Sequence, residues 1–287
     1  MNKIYYLLLF TYCFSFFSCD IINPEEEIPA YIQFDGFELA VGGGQGSNFE
    51  KITEGWIYVD GDLLGAFSEG KPFPALYEGT VDIIVDPGIH ANGVSVQTEI
   101  YPLYDRYSTT VELVKGEVTN ITPKFNYIDE SVFVFVEDFS DTHIFSVDRD
   151  FYPDTFIEIE NTDVIDGPAG IINLDTENPV IEVASSFSFS ELPVDNINTT
   201  FLEITYKTDV PFNIGLIATD SYGLQKAYFS HGLNIKQEWN KAYLDLTELL
   251  VSVRAPTYQV AFRAALTDNL NNASIYLDDI KLVHSTY

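Results

Sequence analysis

Trp56-Ile57-Tyr58-Val59-Asp60-Gly61 decides the fold class. Large residues alternate with period two, as on a half-buried strand, and Asp-Gly then supplies the positive φ of a tight hairpin turn. Trp56 and Tyr58 lie on one strand face and Ile57 and Val59 on the other, and either pair could be the core. The pattern repeats outward from there. Val81-Asp82-Ile83-Ile84-Val85 is a strand that Asp86-Pro87-Gly88 is expected to end. Thr109 to Val114 is another, turned by Lys115-Gly116-Glu117 into Val118 to Phe125. No segment carries a long 3.6-residue stripe. Residues 31–127 therefore read as a small antiparallel sandwich of about six or seven strands.

Asn126 to Glu130 reads as a boundary, and residues 128–287 are strands again. These are Val132 to Val136, Phe156 to Glu160, Val180 to Ala184, Thr200 to Tyr206, Phe212 to Ala218, Tyr258 to Ala264 and Ser274 to Val283. A single helical turn is expected between Leu244 and Val251. Strands at this spacing fit a larger, double-sheet jelly roll, so the chain is all-β with two sandwiches.

Composition narrows the function. The chain has 14 Lys+Arg against 44 Asp+Glu, a net charge of −30. Such a surface repels phosphate backbones and anionic head groups, which argues against nucleic-acid binding. At 46% hydrophobic residues the chain has ample material for a core. Residues 1–18 hold Lys3, an apolar run from Ile4 to Phe10 and then Phe14-Ser15-Phe16-Phe17-Ser18 before Cys19. That run is too short and interrupted to span a bilayer and reads as a signal peptide. Ser18-Cys19 resembles the lipobox of bacterial lipoproteins, which implies cleavage before Cys19 and lipidation of it; an ordinary secretory signal cut elsewhere is the competing reading. Cys13 would leave with the leader, so the mature chain would have no disulfide and no Cys-ligated metal. Residues 19–30, with Pro24, Glu25-Glu26-Glu27 and Pro29, read as an acidic tether. Acids directly behind the lipidated cysteine resemble the export signal of Bacteroidota-type surface lipoproteins. That resemblance implies a lipid anchor in the outer membrane with the body exposed at the cell surface; a plain solvated linker is the other reading.

Two further resemblances concern the body. Trp56 to Gly65, Leu76-Tyr77-Glu78-Gly79 and Lys115-Gly116-Glu117-Val118 resemble PEGA-like and carboxypeptidase-regulatory-like modules, which are immunoglobulin- or transthyretin-like sandwiches. They imply a spacer or docking module. Val136-Glu137-Asp138-Phe139-Ser140, Leu202 to Thr208, Glu238 to Leu246 and the closing strand Ile275 to Leu282 resemble bacterial carbohydrate-binding jelly rolls. The order is specific for the fold and weak for the ligand.

Chemistry-bearing residues are few. With strand alternation, Tyr276, Asp278, Ile280 and Leu282 share a face, so Asp278 is expected to point inward, where it needs a partner. The carbohydrate-binding resemblance implies a structural Ca²⁺ held by Glu137, Asp138 and Asp278; an ion pair with a residue such as Arg263, or a solvated bulge, is the alternative. Asp148-Arg149-Asp150 with Asp154 and Glu158 lacks EF-hand spacing and reads as a solvated loop and strand face. Gly42-Gly43-Gly44-Gln45-Gly46-Ser47 lacks the lysine of a phosphate loop and reads as a hairpin loop. His90, His143, His231 and His284 form no zinc motif, and no G-x-S-x-G is present. Tyr222 and Tyr228, beside the turn residue Gly223, and Trp239 are the candidates for a ligand cleft.

No catalytic constellation stands out, so a non-catalytic protein is expected. The leading expectation is an accessory or scaffold subunit docked on an outer-membrane β-barrel for assembly, nutrient uptake or secretion. The alternative is a glycan-binding surface lipoprotein that uses the jelly roll. An open aromatic groove would favour the second, and a large flat apolar patch the first.

Overall fold

The computed structural model describes residues 27–93, 98–165 and 167–286. The leader, Cys19 and most of the acidic tether lie outside the described residues.

The first unit is built from β1 (Ala30–Phe34), β2 (Glu38–Ala40), β3 (Glu54–Val59), β4 (Asp62–Phe67), β5 (Phe73–Ala75), β6 (Gly79–His90), β7 (Thr98–Ile100), β8 (Tyr107–Leu113), β9 (Val118–Ile121) and β10 (Lys124–Asn126). One sheet runs β4-β3-β6-β7, with β8 also on β6; smaller sheets run β5-β1-β9 and β10-β2. The larger sheet is antiparallel, whereas β1 with β9 and β2 with β10 pair in parallel. Asp60 (φ 50°) and Gly61 (φ 89°) make the hairpin turn between β3 and β4. Ile57 and Val59 face the core and are fully buried; Trp56 and Tyr58 are half-buried on the other side.

Asp86-Pro87-Gly88 does not end its strand. β6 continues through it, with Asp86 opposite Trp56, Pro87 opposite Gly55 and Gly88 opposite Glu54. Arg106 holds the buried Asp86 by two bonds, Nε to Oδ1 at 2.6 Å and Nη2 to Oδ2 at 2.7 Å. A Cβ on Gly88 would sit 2.9 Å from the Glu54 carbonyl oxygen, so this glycine marks a close backbone approach inside a strand.

The second unit holds β11 (Ser131–Glu137), β12 (Phe145–Asp148), β13 (Glu158–Glu160), β14 (Ala169–Asp175), β15 (Val180–Ser185), β16 (Thr200–Thr208), β17 (Phe212–Thr219), β18 (Gln225–Leu233), β19 (Lys236–Asp245), α1 (Thr247–Val253), β20 (Thr257–Ala265) and β21 (Asn272–Ser285). Its front sheet runs β13-β14-β21-β16-β19, with β11 also on β21; its back sheet runs β12-β15-β20-β17-β18. All pairs in both sheets are antiparallel. The two inner faces close on one apolar core that includes Phe145, Ile172, Leu202, Ile204, Phe212, Val260, Phe262 and Leu282. This is the jelly-roll architecture of two packed sheets.

The closing strand β21 changes parity midway. Ile275 and Leu277 face the core, and so do Ile280 and Leu282. The shift falls where Glu203 opposes Lys281 but Thr205 opposes Asp278, with Asp279 in the left-handed region at φ 46°. A bulge therefore corrects the expected alternation, since one extra residue moves every later side chain to the other face. Tyr276 and Asp278 do not share a face with Ile280 and Leu282 in unbroken order.

The first unit covers part of the outer face of the front sheet. Phe201, Tyr243 and Val283 of that face join the first unit's core with Tyr101, Tyr104 and Tyr127. Four buried charges lie in this seam: Glu203, Lys241, Asp279 and Lys281. Lys241 Nζ reaches Glu203 Oε2 at 3.0 Å, Asp279 Oδ2 at 3.3 Å and the Phe49 carbonyl at 3.0 Å. Lys281 Nζ reaches Asp279 Oδ2 at 3.1 Å, the Ser47 carbonyl at 3.1 Å and the Tyr127 hydroxyl at 3.3 Å. Each ammonium thus has three acceptors for three protons. Tyr101 and Tyr127 donate to Glu203 at 2.7 and 2.8 Å, and the Ser47 amide and hydroxyl donate to Asp279, both at 2.9 Å. Burial pushes Lys241 down, but Glu203 and Asp279 outweigh it and hold that lysine above its ordinary range. For Lys281 burial and the neighbouring Lys241 win, and it is lowered to about 8.

Candidate functional site

The outer face of the back sheet carries no such cover among the described residues. Along its inner strands the outward positions are small or apolar at the centre: Ala184, Gly215, Ile217 and Ala261. A Cβ on Gly215 would lie 1.9 Å from the Tyr228 carbonyl oxygen, so β18 bulges close over β17 at this point. Ala184, Ile217 and Ala261 are fully buried, with Val147 and Phe229 packed on them. Arg263, exposed beside them, stands with its guanidinium carbon 4.3 Å from the centroid of the Phe229 ring.

A chain of hydrogen bonds crosses this face. Arg149 Nε donates to Glu182 Oε1 at 3.3 Å, and Arg149 Nη1 donates to Gln225 Oε1 at 3.0 Å. Gln225 Nε2 donates to Gln259 Oε1 at 3.2 Å, and Gln259 Nε2 to the Ser185 carbonyl at 2.5 Å. Arg149 follows β12, one edge of the sheet, whereas Gln225 opens β18, the other edge. Glu182 pairs with Arg263 near one end of β20, and Gln225 pairs with Thr219, opposite Thr257, at the other end. The Arg149–Gln225 bond therefore joins two diagonally opposed corners. Strand twist accounts for this, because it curls one diagonal pair of corners toward a common face.

At the β18 corner a cavity of about 670 Å³ opens, lined by Asp220, Gln225, Lys226, Tyr228, Arg254 and Pro256 among others. The β17–β18 turn builds one wall. Asp220 Oδ1 accepts the amides of Tyr222 and Leu224 at 2.8 and 2.9 Å, and Gly223 takes φ 83°. This turn lifts Tyr222 and Leu224 into solvent, at 90% and 70% exposure. Tyr228 is half-buried and packs against the jelly-roll core, with Lys226 Nζ 4.8 Å from its ring centroid. Arg254 forms the other wall. It ends α1 in the left-handed region (φ 49°, ψ 47°), its amide donating to the Leu250 carbonyl at 3.0 Å and its Nε to the Val251 carbonyl at 3.0 Å. Gln225 lines the cavity and pairs with Thr219 of the outer face, whereas Lys226 and Tyr228 pair with Ala218 and Leu216 of the core face, so the hydrogen-bonded chain and the cavity meet at the β18 edge from opposite faces of the sheet.

Tyr222 and Tyr228 thus stand on the hairpin at this corner. Trp239 does not join them: it lies on the front sheet, edge-on to Tyr276 at 6.1 Å. Lys207, paired with Asp163, stands 4.2 Å from the Tyr276 centroid and 5.9 Å from that of Trp239. Of the three acids expected to hold calcium, Asp138 and Asp278 line one cavity of about 580 Å³ together with Ser47 and Asp279, and Glu137 is not in its lining. Both oxygens of Glu137 accept backbone amides, from Phe139 at 2.9 Å and Ile144 at 2.7 Å. Asp138 accepts the Ser140 amide and hydroxyl at 3.1 and 2.5 Å, and Asp278 accepts the Asp279 amide at 2.7 Å. Among the described residues no three His, Cys, Asp or Glu side chains form a metal-holding group. Arg263 is not the partner of Asp278, since it sits on the opposite sheet over Phe229. Arg149, Gln225, Gln259 and Arg254 went unread because they come from four separate segments; the only local signal was a cation inside the acid-rich run at Asp148.

No protein-family model and no curated protein matches the chain. Among solved structures it is similar to the CBM22-1 xylan-binding domain of Paenibacillus barcinonensis Xyn10C, at 11% identity and a TM-score of 0.37, covering 56% of this chain and 99% of that one. It is also similar to a family 30 carbohydrate-binding module of a Clostridium thermocellum cellulosomal cellulase, at 16% identity and a TM-score of 0.35, over 53% of this chain and 96% of the other. A family 29 module complexed with mannohexaose matches at 15% identity and a TM-score of 0.34, over 54% and 92%. Scores and identities this low do not bear on ligand or activity, and the jelly-roll assignment rests on the sheet order above.

Proposed function

We propose that this is a non-catalytic, glycan-binding surface lipoprotein. Its ligand lies at the β18 edge of the back sheet, and its first unit is a rigid spacer clamped by the buried charges of the seam. Cys19 carries the lipid, and the outer membrane is the site of anchoring. The observation that carries the binding reading is the open cavity at the β18 edge, walled by Tyr228 and lined by Lys226, Arg254 and Gln225, the last of these fixed by Arg149 and Gln259. Sugars present hydroxyls that both donate and accept, and amide and guanidinium groups fixed by one another meet them without further ordering. An aromatic ring beside them offers an apolar face for the C–H side of a sugar. Docking on an outer-membrane barrel was the leading expectation from sequence, yet nothing in the described residues singles out a face for such a partner.

Affinity electrophoresis through gels of soluble polysaccharides tests the reading. Retardation by at least one polymer, weakened about tenfold or more by Arg149→Ala or Gln225→Ala, is expected. Free migration through every gel would sink it.

A further inference from the structure

We infer that the cavity at the β18 corner recognises a carboxylate-bearing sugar, a uronic acid unit of an acidic glycan; the inference rests on the glycan reading above and names its ligand class. The chain has 14 Lys+Arg among 44 Asp+Glu, so acids are available to pair nearly every cation. Seven of them are taken: Arg106, Lys115, Lys124, Arg149, Lys207, Lys241 and Lys281 each pair with a carboxylate. Lys51, Lys71, Lys226, Lys236, Arg254 and Arg263 form no ion pair among the described residues; of these Lys51 bonds Asn240 and Arg263 lies over Phe229 opposite Glu182. Lys226 and Arg254 line the same cavity.

The groups left free there suit a carboxylate. Arg254 spends only Nε, on the Val251 carbonyl, and keeps both Nη groups for the two-pronged contact that a planar carboxylate accepts. Lys226 stands over the Tyr228 ring with its protons unspent, a point charge on the cavity wall. The one acid in the lining, Asp220, is turned to its own loop by the amides of Tyr222 and Leu224. The position of Arg254 adds weight: a left-handed helix end favours glycine, and arginine there is strained. The net charge of −30 opposes an anionic ligand at long range. Screening removes most of that repulsion beyond about 8–10 Å at ordinary salt, and the direct contacts then decide.

The test uses the mature protein and matched polymers that differ only in charge: polygalacturonate and alginate against their fully methyl-esterified forms, with neutral xylan, mannan and galactan alongside. Binding to an acidic polymer, at least tenfold weaker to its methyl ester, is expected. The double variant Lys226→Gln/Arg254→Gly should lose that preference while melting at or above the temperature of the parent. Neutral and esterified polymers bound as well as acidic ones, or a preference that survives the double variant, would overturn the carboxylate assignment and leave glycan binding standing. Binding to no polymer at all would overturn both.

Discussion

The two sheets of the jelly roll use charge in opposite ways. On the front sheet Glu203, Lys241, Asp279 and Lys281 are sealed under the first unit, two of each sign, and every ammonium proton has an acceptor. On the back sheet Arg263 is exposed over the Phe229 ring, opposite Glu182 but without an ion pair, and at the β18 edge Lys226 and Arg254 open onto a cavity. The difference follows from solvation. A charge taken out of water must be fully paired or it destabilises the fold, whereas a charge at the surface can stay unpaired at little cost. Complete pairing marks the seam as a fixed joint, whereas Lys226 and Arg254 at the β18 edge keep their charges open to solvent.

Breaking the balance in the seam should have the largest effect. Glu203→Gln leaves two buried ammonium groups facing one carboxylate and is expected to cost about 3–5 kcal/mol, read by chemical denaturation. Adding Lys241→Met to Glu203→Leu restores neutrality with apolar groups and should recover most of that loss. A double variant as damaged as Glu203→Gln would mean that the seam needs these particular hydrogen bonds rather than charge balance.

The seam should also shape stability against pH. Lys281 is lowered to about 8 when folded, chiefly by burial and by Lys241, against its ordinary value of 10.5. Between those values the unfolded chain holds a proton that the folded one has lost, so stability rises with pH. Burial, with Glu203 adding to it, raises Tyr101, Tyr104 and Tyr127 well above 10. Above that pH the unfolded chain sheds protons that the folded one keeps, and stability falls. Urea midpoints measured from pH 7 to 11 should therefore peak near pH 10, and Lys281→Met should abolish the rise while keeping the fall.

Gly46→Ala probes the same joint from the first unit. Gly46 has φ 79°, and a Cβ there would come within 2.1 Å of Asp279 Oδ1. Strain and displacement together should cost about 2 kcal/mol, visible as a lower melting temperature. The back-sheet substitution Arg149→Ala breaks a pair that is only partly buried, so it should change stability by less than about 1 kcal/mol while weakening glycan binding. Equal damage to stability from both variants would erase the contrast between the faces.

These residues also show where the sequence could be read and where it could not. The β3–β4 hairpin was legible because Asp60-Gly61 needs no tertiary context to turn. Asp86-Pro87-Gly88 misled because its meaning depends on Arg106, some twenty residues away, and on the approach of the Glu54 backbone. Asp278 misled because the bulge at Asp279 is set by pairing with β16. Glu203, Lys241 and Lys281 occupy outward strand positions and look like ordinary solvent-facing charges; only the docking of the first unit makes them buried. Tyr222 and Tyr228 could be singled out because Gly223 marks their turn, but Arg149 reaches Gln225 only through sheet twist, and Arg254 reaches the cavity only through the end of α1.

The smallest effect is the most discriminating. Arg254→Gly removes the left-handed strain at the end of α1 and is expected to stabilise the protein by up to about 1 kcal/mol. Glycine keeps the amide bond to Leu250 and loses only the guanidinium, so no packing of the core is disturbed. If Arg254 were a structural cap, the same change would lower the melting temperature through loss of its bond to the Val251 carbonyl. A melting temperature that rises while binding to the acidic polymer falls would separate the two roles in one variant. It would also show that the back sheet gives up stability for its ligand at a position where the front sheet's seam, with every proton placed, gives up none.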